Sequence, residues 1–179
     1  RVGSWARAIE AAERGVELAR EQGSQSTIAF ALAPLAYIQA ARQNWEACKA
    51  TLIDAPEIRA PSSEYTPLQF TLTGLHGLVR AHLGEPAEGA LMIRDALQWV
   101  TKTDYRVFHY LPRIFLAESL SLAGEFIAAK REALIALDAA RTEGNRWAES
   151  VTLRMLAEII SRTEKPDWLT VEEYLIESV

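Results

Sequence analysis

The sequence predicts an all-α fold, a solenoid of helix hairpins, and three observations carry that prediction. Gly3–Ala8 (GSWARA), Gln43–Cys48 (QNWEAC), Gly84–Gly89 (GEPAEG) and Gly124–Ala129 (GEFIAA) can be laid over one another. They begin at residues 3, 43, 84 and 124, in steps of 40, 41 and 40. Self-similarity at such a period marks a stack of repeats. Small residues keep the same rhythm. Ala8, Cys48, Gly89 and Ala129 close the motifs, Gly15, Ala55, Ala96 and Ala136 follow seven residues later, and Ala36, Gly77 and Ala117 stand twelve residues before the last three closing residues, a series continued by Ala157. Two small side chains seven apart share a helix face and let a neighbouring helix approach closely. Apolar residues also recur at three- and four-residue steps, as in Leu83, Ala87, Ala90, Leu91 and Ile93, or Ala133, Leu134, Leu137 and Ala140. That is helical periodicity, and no Val/Ile/Thr-rich run bounded by Asn-Gly or Asp-Gly points to a strand.

Each unit reads as a first helix with a small crossing residue, a turn with Gly, Gln or Asn, and a second helix starting near an aromatic or Pro. The chain opens on a second-type helix over 4–22, started by Trp5. The first helix over 25–42 carries Ala36; Pro34 inside it removes one backbone bond and is expected to bend or delay it. The helix over 44–54 starts at Trp45 and is cut short by a loop containing Pro56, Pro61, Ser62, Ser63 and Pro67. Because Cys48 and Gly89 stay in phase across it, the loop replaces part of a repeat and is not a domain boundary. Helices over 66–83 (Gly77) and 86–102 (Pro86) form the next unit. Those over 105–123 (Ala117) and 125–143 (Phe126) form another. The last unit pairs 145–163 (Ala157) with a short helix over 169–178, where Thr170 and Glu173 read as a capping box.

The expected organisation is a single helical-repeat domain over 1–179, with a half unit at 1–23 and units at 24–64, 65–104, 105–144 and 145–179. An unpaired end helix leaves an apolar face that natural arrays cover with a polar cap. The expectation is therefore a fragment of a larger protein; the alternative is a free-standing domain whose Trp5 and Ile9 face meets another subunit.

Of 179 residues, 49% are hydrophobic and 24% charged, with 9 Gly and 7 Pro, which excludes disordered and collagen-like classes. No apolar stretch approaches the ~20 residues of a membrane span, and no signal-peptide pattern opens the chain. Cytoplasmic residence and no membrane association are the expectations. The lone Cys48 can form no internal disulfide, which fits a reducing compartment.

A first helix with a small residue, a Gly turn, an aromatic and a second helix with two Ala slots resembles the tetratricopeptide pattern, stretched to about forty residues. The stretched form is similar to the repeats of large bacterial signal-transduction ATPases, including maltose-regulon-activator-type regulators and repeat-containing adenylate cyclases. GEPAEGALMIRDAL, HYLPRIFLAESLSLAGEF and EGNRWAESVTLRMLAEII, within Gly84–Ile160, carry this resemblance most closely. Gly89 and Gln43 are weak versions of their slots, and Pro34 is unusual. The resemblance implies a right-handed α-α superhelix, and a bacterial regulator whose ATPase or DNA-binding functions lie elsewhere in the parent protein.

Catalytic and metal readings find no support in the residues. His76 and His82 are six apart and turn to different helix faces, His109 stands alone, and no His-x-x-x-His or Glu-x-x-His set exists. Cys48 fills a packing slot and reads as an inert buried thiol. No nucleotide-binding glycine motif is present. The expectation is no enzyme, no cofactor and no metal. A net charge of −5 with scattered Lys and Arg argues against direct nucleic-acid contact.

Binding remains. First helices line the concave surface in tetratricopeptide arrays, and the inward positions assigned to them include Phe30 and Tyr37 in one unit, His82 in the next, Ile114 and Glu118 in a third, and Arg154 and Glu158 in the last. A protein or peptide partner, or a small effector, in that groove is the first expectation. The bland alternative makes Tyr37 and His82 caps of the core, and Glu118, Arg154 and Glu158 members of surface ion pairs worth ~0.3–0.5 kcal/mol each. A second functional expectation is self-association, as a homodimer, through exposed end helices with no groove ligand. Among the tryptophans, Trp5 and Trp45 share a repeat slot, and core packing is the expected role of all five; an exposed Trp168 or Tyr174 would mark an interface.

Overall fold

In the computed structural model residues 4–55, 67–103 and 110–179 are described, and among them every regular element is an α-helix. They are α1 (Trp5–Gln22), α2 (Gln25–Ala41), α3 (Trp45–Ile53), α4 (Pro67–His82) and α5 (Pro86–Thr103), followed by α6 (Tyr110–Leu122), α7 (Phe126–Thr142), α8 (Arg146–Ser161) and α9 (Trp168–Glu177). Arg1–Gly3, the loop over 56–66 and the predicted helical residues 105–109 lie outside the described residues. The early end of α3 at Ile53 agrees with the expected interruption.

Side-chain caps start five of these helices. Ser4, Ser24, Asn44, Asn145 and Asp167 each accept the amide N–H three residues on, at 3.5, 3.4, 3.4, 3.0 and 3.3 Å. Such caps contribute about 1 kcal/mol each. The predicted capping box at Thr170 is corrected here. Asp167 is the cap, and its carboxylate accepts both the Thr170 hydroxyl at 2.7 Å and the Thr170 amide, so Thr170 sits inside the first turn. The Thr170 hydroxyl, then its amide, hold the Asp167 carboxyl below the usual carboxylate range.

The turns between helices share one geometry. Gly84 and Gly124 take positive φ of 101° and 80°, and the residue after each donates its N–H to a carbonyl five residues back, Arg80 and Leu120 respectively. That is the Schellman closure. Gln43 occupies the same repeat slot at φ 57°, closed by Asn44 N–H to Gln39 O at 2.9 Å, so a non-Gly residue carries the left-handed turn there.

Pro34 neither breaks nor delays α2, which runs unbroken over Gln25–Ala41. Its ring lies on the exposed face, where water can satisfy the carbonyl that loses its N–H partner.

The small slots meet in pairs. The Cys48 thiol donates to the Ala36 carbonyl at 3.2 Å, joining α3 to α2. In the next unit a Cβ on Gly77 would stand 2.7 Å from the Gly89 carbonyl oxygen and 2.5 Å from Ile93 Cγ1, so α4 and α5 touch backbone to backbone. Gly89 is thus required by the close approach and is no weakened version of its slot.

Consecutive helices pack as hairpins: α1 on α2, α2 on α3, α4 on α5, α6 on α7 and α8 on α9, with α5 on α6 and α7 on α8 joining the units. The first helices also touch in a row, α2 on α4, α4 on α6 and α6 on α8, whereas among the described residues α3, α5 and α7 do not touch one another. Each element therefore meets only near neighbours, and the core is a ribbon from Val16 to Ile159 between two layers. Ala157, Ile160 and Val171 form a small extension beneath α9.

Core packing for all five tryptophans is overturned for Trp147 and Trp168, which are 60% and 63% exposed, and Trp5 is also exposed. Trp45 packs against the core, while the side chain of Trp99 lies outside the described residues. Among the described residues no helix is long and apolar enough to cross a membrane.

Candidate functional site

The row of first helices carries a cleft of ≈ 200 Å³ between the end of α4, α6 and α8. His82, the last residue of α4, is fixed from two directions. Its ring stacks on Trp45, with centroids 3.8 Å apart and planes 7° from parallel, and its Nε2 lies 2.6 Å from Glu118 Oε1. Trp45 stands at the start of α3, just after its Asn44 cap, so the cleft's edge is held by α3, α4 and α6.

Helix α6 supplies Glu118 and, three residues on, Ser121. Ser121 is 8% exposed and its Oγ is buried without a hydrogen-bond partner. Ser119 and Thr152, also buried, return their hydroxyls to carbonyls four residues back at 2.8 and 2.7 Å. Ser121 does not, and a buried unpaired hydroxyl costs about 1–3 kcal/mol.

Helix α8 presents a full face, since residues three and four apart line up on one side. Arg154 and Glu158 stand on that face above Val151, Met155 and Ile159, which make the apolar floor. Glu158 pairs with Arg162 at 2.5 Å. Arg154 makes no hydrogen bond or ion pair with any described residue.

Four of the residues expected at a groove, His82, Glu118, Arg154 and Glu158, therefore line one cleft. Of the surface ion pairs at four-residue spacing in the bland alternative, Glu158 forms one, with Arg162, whereas Glu118 turns to His82 and Arg154 joins none among the described residues. The other three residues lie elsewhere. Phe30 is 66% exposed on α2, and Ile114 is buried in the core. Tyr37 stacks obliquely on Phe115, with centroids 6.1 Å apart; burial pushes its ionisation well above the usual range, and its hydroxyl is buried without a partner. His76 is outside the cleft, and burial, followed by Arg80 and Lys49, lowers its pKa. His109 lies outside the described residues.

Sequence reasoning missed Ser121 and the stacking role of Trp45. The repeat register did not single Ser121 out: the equivalent positions 40 and 81 hold Ala, and 161 holds Ser.

A wider recess of ≈ 1020 Å³ opens between the start of α7 and the segment after α8, bordered by Phe126, Ile127, Arg131, Arg162 and Lys165. Ile127 there is 91% exposed, and none of the buried unpartnered polar atoms lines it. The chemistry gathers at the smaller cleft. Among the described residues no group of three or more His, Cys, Asp or Glu side chains could hold a metal ion.

No protein-family model matches the chain, and no curated protein matches it.

Proposed function

We infer that this chain is a non-catalytic binding module, engaging a protein, peptide or small effector on the surface formed by α2, α4, α6 and α8. The observation that carries this is the cleft on that row, where the His82–Glu118 and Glu158–Arg162 contacts and an Arg154 without a described partner surround an apolar floor. Sites for small ligands combine those ingredients, a mostly apolar hollow with a few placed polar groups. The first helices touch in a row, and the concave side of a right-handed superhelix is the role that the tetratricopeptide resemblance gives to such a row.

The parent proposed for the module is a cytoplasmic bacterial regulator of the signal-transduction ATPase type, from the forty-residue repeat resemblance. Occupation of the cleft would favour one arrangement of neighbouring units and so bias an output domain. Amide spectra recorded with metabolite and peptide pools test this: shifts confined to α4, α6 and α8 support a groove module, and an unchanged spectrum with every pool counts against it.

A second reading is self-association. Trp168, Leu169 and Ile176 on α9 are 63%, 75% and 69% exposed, an apolar display of the kind that pairs chains. Molecular mass that rises with concentration, and falls back on Ile176→Lys, would favour it.

A further inference from the structure

We propose that the cleft between α4, α6 and α8 binds a free α-amino acid with an aliphatic side chain, of about the size of leucine or methionine. This rests on the groove reading and names its ligand.

Charge decides between ligand classes. Of the ionisable groups lining the cleft, Glu158 is balanced by Arg162. Glu118 faces only the His82 ring through Oε1, and its Oε2 has no described partner. Arg154 has no partner at all among the described residues. One carboxylate oxygen and one guanidinium thus remain open, contributed by α6 and α8. A zwitterion answers both: its carboxylate takes the Arg154 fork and its ammonium the free Glu118 oxygen. A simple organic acid would meet Arg154 but be repelled by Glu118, and an amine would meet the reverse.

Size and polarity narrow the class further. A volume of ≈ 200 Å³ holds on the order of seven waters, which accommodates a branched or thioether amino acid and excludes a folded peptide. The floor of Leu122, Val151, Met155 and Ile159 offers the side chain only apolar contact. Trp45 and Glu118 hold His82 as a fixed wall, so the cleft keeps its shape when empty.

Isothermal titration of the whole chain with leucine, methionine, glutamate, ketoleucine, isoamylamine and leucyl-glycine tests the assignment. The expected result is saturable binding of one leucine or methionine per chain, with ketoleucine and isoamylamine weaker by about tenfold, the loss of one charged contact. Arg154→Gln should weaken leucine by about tenfold, with Asp138→Asn, on the exposed side of α7, unchanged. Unaltered helical circular dichroism of Arg154→Gln checks that the fold is kept.

Ketoleucine binding as tightly as leucine would overturn the proposal, as would leucine affinity unmoved by Arg154→Gln. No heat with any amino acid would also overturn it. If peptide pools still shift α4, α6 and α8 in that case, the groove module stands without this ligand; silence in both experiments removes both.

Discussion

The carbonyl of Gly89 lies 2.7 Å from the point a Cβ on Gly77 would occupy, so at this crossing α4 and α5 are separated by nothing but backbone. No side chain can be inserted without moving a helix. Gly77→Ala should cost about 2–3 kcal/mol through overpacking, despite the ~1 kcal/mol that Ala gains over Gly in a free helix. Gly74→Ala is the milder contrast: its Cβ would meet the Pro112 ring at 3.2 and 3.3 Å and Phe115 Cδ2 at 3.5 Å, which asks for a give of only a few tenths of an ångström. Urea unfolding of both variants checks this, with Gly74→Ala expected within about 1 kcal/mol of the parent.

Gln43 holds a left-handed turn that glycine holds at the equivalent positions 84 and 124. Gln43→Gly should stabilise the chain by about 0.5–1 kcal/mol, because the Cβ penalty at positive φ exceeds the added chain entropy. A rise in the thermal midpoint, with an unchanged denaturant slope, is the expected readout.

Glu132 is buried at 8% exposure and accepts from Arg113 at 2.6 Å, tying α7 to α6. Arg113→Ala would leave that carboxylate with only the more distant Arg131, and should cost about 2 kcal/mol after allowing for the partial exposure of the Arg113 side chain. The double variant Arg113→Met with Glu132→Met should recover most of that loss. Equal losses in the single and double variants would show that the packing of the stems, and not the charge pair, is what matters.

Burial pushes the Cys48 thiol from 9.0 up to about 12. The folded state therefore favours the protonated thiol, and the stability this contributes is complete below pH 9. It is lost as pH rises from the unfolded value through the folded one. Between about pH 9 and 12 the parent should lose stability that Cys48→Ala does not. Below pH 8, thiol modification of the native chain should track global unfolding, since the buried thiol is not a nucleophile.

Much of the architecture was legible before any coordinates. The forty-residue period located Cys48, Gly89 and Ala129, and the coordinates show the first two at real close approaches, Cys48 on Ala36 and Gly89 on Gly77. Helix limits followed from the same period because turns with Gly or Asn recur in it. The last cap was misread, since Asp167 and Thr170 are both good capping residues three apart and only geometry says which one accepts. Trp147 and Trp168 were misread because a position along a helix does not say whether a neighbouring helix covers it.

The sequence by itself determined the helical class, the order of the elements and the slots at which helices cross, because those are set by local spacing along one chain. Which charges remain unpaired was decided only by tertiary structure. Glu118 could have met a residue of its own helix, yet the end of α4 brings His82 to it across 36 residues, while Arg162 takes Glu158 and leaves Arg154 alone. Pairing energies depend on distance and burial between helices, quantities that no repeat period encodes.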